Sequence, residues 1–148
     1  MEKKILEPKA VSTTRLVKSE DLNHHKTLFA GRTAEWFVES GFIAAAALVN
    51  PKDIICVKIH GMTFNKPVNA GSIVCFRSKV VNAGKSSLTA YVKVSMIHTL
   101  SEEMDIVDGF ITFVHVDENG RPLPHGIEIA AVTAEDSMLQ ETAKAFKK

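Results

Sequence analysis

One long apolar stretch constrains the fold of this chain more than any other part of its sequence. Apolar side chains recur at spacings of three and four over residues 32–49, which is the period of an α-helix. The predicted apolar face consists of Ala34, Phe37, Val38, Gly41, Ala45 and Leu48. The second half, 42–49, is apolar on every side, and a helix without a polar face is expected to be surrounded by protein. Asn50-Pro51 ends it, because a residue before proline disfavours helical angles.

After Pro51 the apolar period shortens to two, which predicts strands. Residues 54–57 form a continuous β-favouring run, a pattern typical of a strand that is covered on both faces. Three further strands are predicted at 72–81, 88–96 and 106–116, with a weaker one before the helix at 11–17. Residues 82–86 contain a glycine and predict a hairpin, while 117–120 predict a turn.

The order of these elements predicts an α+β fold in which an antiparallel sheet wraps around the long helix. Thr133 and Asp136 have the spacing of a capping box and predict a short C-terminal helix at 133–148. Such a sheet leaves edges to cover, and continuing it across two chains is one common solution. We therefore expect a homodimer.

Length and composition limit the classes of function. The chain has 148 residues, which fits a single domain at 1–148 with a core at about 11–124. Its 18 basic and 17 acidic residues give a net charge of +1, which argues against a nucleic-acid binder. The apolar run at 42–49 is too short to span a membrane. No leader-like apolar stretch opens the chain, and Cys56 and Cys75 form no CxxC motif, so a cytoplasmic location with reduced thiols is predicted.

Four segments carry a resemblance to a known family: 19–31, 62–68 followed by Gly71, 83–87, and 110–114 with 117–120. In order and spacing they resemble the hot-dog-fold acyl-CoA thioesterases, in the branch of the bacterial and brain-type acyl-CoA hydrolases. The resemblance spans most of the domain and implies a hot-dog fold, an acyl-CoA substrate and a homodimer, with frequent assembly as a hexameric trimer of dimers. It implies no cofactor besides the coenzyme A of the substrate.

The resemblance places the thioester carbonyl at the N-terminus of the central helix, where free N–H groups and the helix dipole stabilise a developing oxyanion. Gly31 would allow the substrate to approach closely; alternatively, it only lets the loop turn into the helix. Asn23 matches the active-site asparagine of the family and would orient the attacking water or the carbonyl. Its alternative role is to close an Asx turn. Lys26 replaces a glycine that the family usually has in this loop.

The catalytic acid of the family is missing from its usual place. It normally lies seven positions after the glycine, and here that position is Val38. Glu35 and Glu39 lie on one helix face with Arg32 and offer a general base instead. We prefer Glu39, which directly follows Val38, and keep Glu35 as the substitute; a solvated ionic stripe is the alternative. The hypothesis is hydrolysis by an activated water, with Asn23 and a glutamate from opposite subunits.

The hairpin that contains Gly84, Lys85, Ser86 and Ser87 offers N–H groups, hydroxyls and an ammonium to a phosphate. The resemblance implies that it contacts the nucleotide of coenzyme A, with Lys66 as a further cation; alternatively it is a plain β-turn. The six histidines have no spacing of a metal site, so none is predicted.

Two other functions stay open at this point. The same fold supports hydration or dehydration of acyl thioesters, but such dehydratases typically have a Pro-Gly element, and this sequence has none. The valine at position 38 also fits a chain that binds acyl-CoA without hydrolysing it.

Overall fold

The computed structural model describes residues 3–99 and 102–146. Two α-helices lie in this part of the chain, α1 (Ala30–Ala46) and α2 (Ala134–Lys144). The strands are β1 (Lys4–Leu6), β2 (Val11–Leu16), β3 (Ile54–His60), β4 (Ile73–Ala83), β5 (Ser87–Thr99), β6 (Glu102–His115) and β7 (Ile127–Ile129). The predicted α+β class, the long helix and the hairpin between β4 and β5 are confirmed. The last predicted helical residues, 147–148, lie outside the described residues.

The main sheet has the strand order β2-β4-β5-β6-β3, and all its neighbouring strands are antiparallel. Two elements have no counterpart in the sequence prediction. β1 and β7 pair in parallel as a separate two-stranded sheet, in which Lys4 lies opposite Ile127. This small sheet brings the start of the chain beside the segment that follows β6.

α1 packs mainly against β4 and β5. Its buried residues are Thr33, Trp36, Phe37, Ser40, Gly41, Ala44 and Ala45, so the buried face is rotated from the predicted one, and Ala34 and Val38 are only half-buried. Gly41 permits the close approach, because a Cβ there would lie 2.8 Å from Ile111 Cδ1. Ser40 and Ser78 join helix and sheet by buried hydrogen bonds.

Two predictions about burial are wrong for the single chain. β3 is an edge strand, and Ile55, Val57 and Ile59 are 48%, 51% and 42% exposed, so it is not covered on both faces. The outer side of α1 is not surrounded by protein either, since Ile43 is 44% exposed. The physical reason is that α1 lies under the centre of the sheet, which leaves its outer side and the β3 edge without a neighbour among residues 3–99 and 102–146.

α2 lies against a second apolar cluster formed by Val81, Phe110, Leu139 and Ala143. Phe110 belongs to this cluster and Ile111 to the main core, so the two clusters lie on opposite faces of the sheet. The predicted cap of α2 is present, because Asp136 N–H donates to Thr133 Oγ1 at 3.0 Å. Neither helix in the described ranges has the length and apolarity that a membrane crossing requires.

Candidate active site at the start of the central helix

The loop that leads into α1 is anchored by a buried carboxylate. Asp21 is 4% exposed, and its Oδ2 accepts a hydrogen bond from Lys18 N–H at 2.9 Å. Its Oδ1 lies 3.2 Å from Arg32 Nε, and its backbone carbonyl accepts from Phe29 N–H at 2.9 Å. Two contacts of Asp21 therefore tie the start of the helix to the loop before it, and the third closes the loop itself.

The first turn of α1 leaves backbone donors open. Arg32 and Thr33 N–H both donate to the Phe29 carbonyl, at 2.9 and 3.1 Å, and Phe29 provides no side-chain cap. Within residues 3–99 and 102–146, the N–H groups of Ala30 and Gly31 have no hydrogen-bond acceptor. Two free N–H groups at the positive end of the helix dipole form a favourable place for an anionic oxygen.

The ring of Phe29 fills the space beside Gly31. A Cβ on Gly31 would lie 2.5 Å from the Cε2 atom of that ring, so the glycine makes room for it. The Phe29 side chain is 54% exposed, and little holds it in place. The ring therefore occupies the place that a side chain at position 31 would take.

A cavity of about 250 Å³ lies at the helix start. It is lined by Asn23, Thr27, Leu28, Ala30, Thr33, Phe64, Asn65, Lys66, Pro67, Val68 and Ile106. Leu28 N–H donates to the Val68 carbonyl at 2.7 Å, which holds the second loop against the first. Of the residues that line this cavity, Asn23 and Lys66 were predicted from the sequence. The polar residues Thr27, Thr33 and Asn65 were not predicted, and only their closeness in sequence to predicted site residues could have indicated them.

The side chain of Asn23 closes its own loop. Its Oδ1 accepts from His25 N–H at 2.8 Å and from Thr27 N–H at 3.1 Å, while Nδ2 donates to Thr27 Oγ1 at 3.1 Å. Lys26 has a φ of 64°, a left-handed conformation that lysine rarely adopts and glycine adopts freely. The Asx-turn role of Asn23 thus accounts for its contacts, and the side chain also lines the cavity.

The two candidate acids lie outside this cavity in the single chain. Glu39 Oε1 accepts from Arg15 Nη2 at 2.7 Å, and the Arg15 guanidinium lies 5.0 Å from the ring centre of Trp36. Glu35 Oε1 lies 3.4 Å from Arg32 Nη1. The two glutamate side chains are 51% and 55% exposed. Glu39 instead borders a shallow apolar depression of about 290 Å³ with Val38, Phe42 and Ile43.

The hairpin between β4 and β5 borders a different and larger cavity, of about 580 Å³. Its lining consists of Lys3, Ala83, Gly84, Lys85, Pro124, His125, Gly126 and Ile127. Gly84 N–H donates to the Ser87 carbonyl at 3.0 Å and closes the turn. Lys85 and Lys66 therefore border two different cavities of the same chain. Lys3 and His125 were not predicted from the sequence to lie beside the hairpin.

Ionisable groups with shifted pKa values lie away from the helix start. On β3, burial raises the pKa of the Cys56 thiol, and burial with the nearby Lys58 charge lowers the pKa of His60. Burial raises the pKa of Tyr91, and the carboxylate of Asp108, which accepts from its hydroxyl at 2.9 Å, adds to the shift. No group of three His, Cys, Asp or Glu side chains in the described part of the chain is arranged to hold a metal ion.

The fold of this chain, a long helix packed against an antiparallel sheet, is shared with known enzymes. The family model described as thioesterase superfamily matches residues 25–96. The acyl-CoA thioester hydrolase YkhA of Bacillus subtilis, named as uncharacterized, is 33% identical over 93% of this chain and 78% of its own length. The chain belongs to the acyl-CoA thioester hydrolases of the thioesterase superfamily, as the sequence resemblance predicted.

Solved structures agree with this assignment. An apo-hexameric acyl-CoA thioesterase superposes with a TM-score of 0.86 at 28% identity, covering 98% of this chain and 92% of the other. An acyl-CoA hydrolase from Bacillus cereus has a TM-score of 0.84 at 26% identity, covering 92% of this chain and 82% of its own. The predicted hot-dog fold is confirmed.

Proposed function

We propose that this chain hydrolyses acyl-CoA thioesters to free coenzyme A and a carboxylic acid. The observation that carries the proposal is the pair of free N–H groups, on Ala30 and Gly31, at the start of a helix that borders a cavity. Acyl transfer to water builds negative charge on the thioester oxygen, and prearranged N–H donors stabilise that charge in the transition state. The names of the related proteins support the same reaction.

In the proposed mechanism the thioester oxygen accepts hydrogen bonds from Ala30 and Gly31, after the substrate has displaced the Phe29 ring. A glutamate takes a proton from a water molecule, whose oxygen attacks the carbonyl carbon. The C–S bond then breaks, and the coenzyme A thiolate receives the proton. Asn23 orients the water or the carbonyl through its remaining amide hydrogen.

The proposed site combines two subunits. Ile55, Val57 and Ile59 on β3, together with Ile43 on α1, leave apolar surface exposed in the single chain, and burying such surface favours association. We propose that β3 and the outer side of α1 form a homodimer interface, and that the glutamate reaches the cavity of the partner. A further assembly of three dimers is proposed by analogy with the hexameric thioesterase.

We assign the nucleotide of coenzyme A to the hairpin of Gly84, Lys85, Ser86 and Ser87, with Lys66 as a cation nearer the reacting thioester. The hairpin and the helix start border different cavities of one chain. We also propose a cytoplasmic location, because the thiols of Cys56 and Cys75 are free, as is usual in a reducing compartment.

The test of the catalytic acid is thiol release from a panel of acyl-CoAs. We expect Glu39→Gln to lower kcat by about 100-fold or more, the usual contribution of a general base. Glu35→Gln is the matched control and should change kcat only a few-fold. In a Glu39→Gln background, Val38→Asp restores an acid at the position that the family uses, and we expect it to recover part of the lost rate. Full activity of both glutamine variants would refute the mechanism.

One observation favours a second function, binding without hydrolysis. Glu39 is held by Arg15, and the neighbouring position 38 carries an apolar side chain. If the unaltered protein binds coenzyme A in calorimetry but releases no thiol from any acyl-CoA of the panel, the chain is a CoA-ester-binding protein. Conversion of an enoyl-CoA to its hydrated product, followed by chromatography because hydration releases no thiol, would instead indicate a hydratase.

A further inference from the structure

The hairpin assigned to the nucleotide is held from behind by the end of β6 and by the segment that follows it. The carbonyls of Lys85 and Ser86 accept backbone hydrogen bonds from His125 N–H at 3.2 Å and His115 N–H at 2.7 Å. The carbonyl of Ser87 accepts from the His125 ring nitrogen Nε2 at 2.9 Å. Of three successive carbonyls, His125 thus binds two, and His115, the last residue of β6, binds one. This leaves the Lys85 ammonium and the two serine hydroxyls available to a ligand.

The contacts of the His125 ring fix its protonation state. Ile127 N–H donates to Nδ1 at 3.0 Å, so Nδ1 must carry a lone pair. Nε2 faces a carbonyl oxygen and must therefore carry the proton. Only the neutral ring satisfies both contacts. A second proton would sit on Nδ1, facing the Ile127 N–H, and would break that hydrogen bond.

The charges around the ring oppose its protonation. Burial lowers the pKa of His125 from its ordinary value, and the nearby His115 and Lys3 act in the same direction, against the carbonyls of Ser87 and Gly84 that raise it. The rings of His115 and His125 have their centres 6.3 Å apart, and the charged groups that border the same cavity are Lys3 and Lys85. Lys3 directly precedes β1, His115 ends β6 and Lys85 lies in the hairpin.

We propose that His125 is a positioning residue for the coenzyme A nucleotide: its neutral ring holds the 84–87 hairpin in the binding conformation through the Nε2–H bond to the Ser87 carbonyl. This inference rests on the proposed function, because it takes the hairpin as the nucleotide site. The ligand class is a phosphorylated nucleotide, bound by an ammonium and hydroxyls. His125 itself contacts the hairpin backbone and is not a catalytic residue.

Two substitutions separate the two nitrogen atoms of the ring. The amide nitrogen of His125→Gln can replace Nε2 and still donate to the Ser87 carbonyl. The amide oxygen of His125→Asn can replace Nδ1 and accept from Ile127, but the side chain is too short to reach Ser87. We expect KM for acyl-CoA to rise about fivefold in the asparagine variant, the loss of roughly one hydrogen bond, and to stay within twofold in the glutamine variant. In both, kcat should be unchanged, because the helix start is untouched.

The split between KM and kcat distinguishes this role from a purely structural one. A loss of folded protein would lower the apparent kcat and leave KM unchanged, whereas a displaced hairpin raises KM alone. Protonation of Nδ1 would break the Ile127 contact but keep the Nε2–H donor to Ser87. KM of the unaltered protein and KM of the glutamine variant should therefore follow the same course between pH 7.5 and 5.

The outcomes distinguish this inference from the proposed function. Calorimetry with coenzyme A itself measures the same affinities without any turnover, and the asparagine variant should bind about fivefold more weakly. If the unaltered protein releases no thiol but the calorimetric difference is present, hydrolysis is refuted and the positioning role stands. If the asparagine variant keeps its KM and its affinity for coenzyme A, the positioning role is refuted, even if its melting temperature falls.

Discussion

A buried pair of serines joins the middle of α1 to β4, and we expect its two members to differ in importance. Ser78 Oγ donates to the Ser40 backbone carbonyl at 2.7 Å, and Ser40 Oγ donates to Ser78 Oγ at 3.0 Å. Both residues are 1% exposed. Ser78→Ala removes both hydrogen bonds and leaves the Ser40 hydroxyl buried without its partner. Ser40→Ala removes only one bond, because Ser78 still reaches the backbone carbonyl.

The magnitudes follow from this asymmetry. Each lost bond costs about 1 kcal/mol and an unpaired buried hydroxyl adds about 1 kcal/mol more, so Ser78→Ala should lower the free energy of unfolding by about 2–3 kcal/mol. Ser40→Ala should lower it by about 1 kcal/mol. For a chain of this size, the larger loss corresponds to a fall of roughly 4–12 °C in the melting temperature.

The double variant provides the decisive comparison. With both hydroxyls removed no side-chain donor is left unpaired, so Ser40→Ala/Ser78→Ala should be more stable than Ser78→Ala alone. Urea unfolding followed by circular dichroism measures all three variants, at one protomer concentration because association contributes to stability. Losses that simply add, or a Ser40→Ala variant as unstable as Ser78→Ala, would refute the reasoning.

Three further changes test other parts of the structure. Gly109→Ala would place a Cβ against the Gly61 carbonyl oxygen. We expect urea unfolding to show a free energy of unfolding lower by about 1–3 kcal/mol, and an unchanged urea midpoint would contradict the close approach of the two glycine backbones. Burial raises the pKa of Asp136, but its bonds to Lys79 outweigh this and lower the pKa below the ordinary 3.8. The stability that Asp136 contributes is therefore fully present above pH 3.8 and is lost as the pH falls through the lower pKa that Asp136 has in the folded protein. We expect Asp136→Asn to lower the melting temperature at pH 7 but much less at pH 2. Equal effects at the two pH values would contradict this. Val57→Lys, on the exposed edge strand, should yield monomers in size-exclusion chromatography with light scattering, and an unchanged mass contradicts the proposed interface.

The sequence predicted the fold well where the pattern within each element was strong. Alternating side chains predicted β4, β5 and β6 to within a few residues, and the glycine turn predicted their first hairpin. The burial of β3 was predicted wrongly, because an apolar run indicates that something covers the strand but not which chain does. β1 and β7 were missed because each has three residues and their pairing joins Lys4 to Ile127, far apart in sequence.

The site was predictable in part, for a related reason. The loop and the helix start are local in sequence, so Asn23 and the free N–H groups could be inferred from order and spacing. The surroundings of the two glutamates could not be inferred, because Arg15 binds Glu39 from a strand 24 residues away. The contribution of His125 was hidden for the same reason, since it lies 38 residues from Ser87.

The contacts of Asn23 reconcile the two roles that the sequence left open. Its amide has two N–H donors and one oxygen, and the loop uses that oxygen for the N–H groups of His25 and Thr27 but only one amide hydrogen, which it gives to Thr27 Oγ1. One amide hydrogen is left, on a side chain that lines the cavity. Closing the loop orients that hydrogen at no further entropic cost, because the amide is already fixed when a substrate arrives. An aspartate at this position would close the loop equally well but would have no hydrogen to donate, so Asn23→Asp separates the turn from the proposed chemistry.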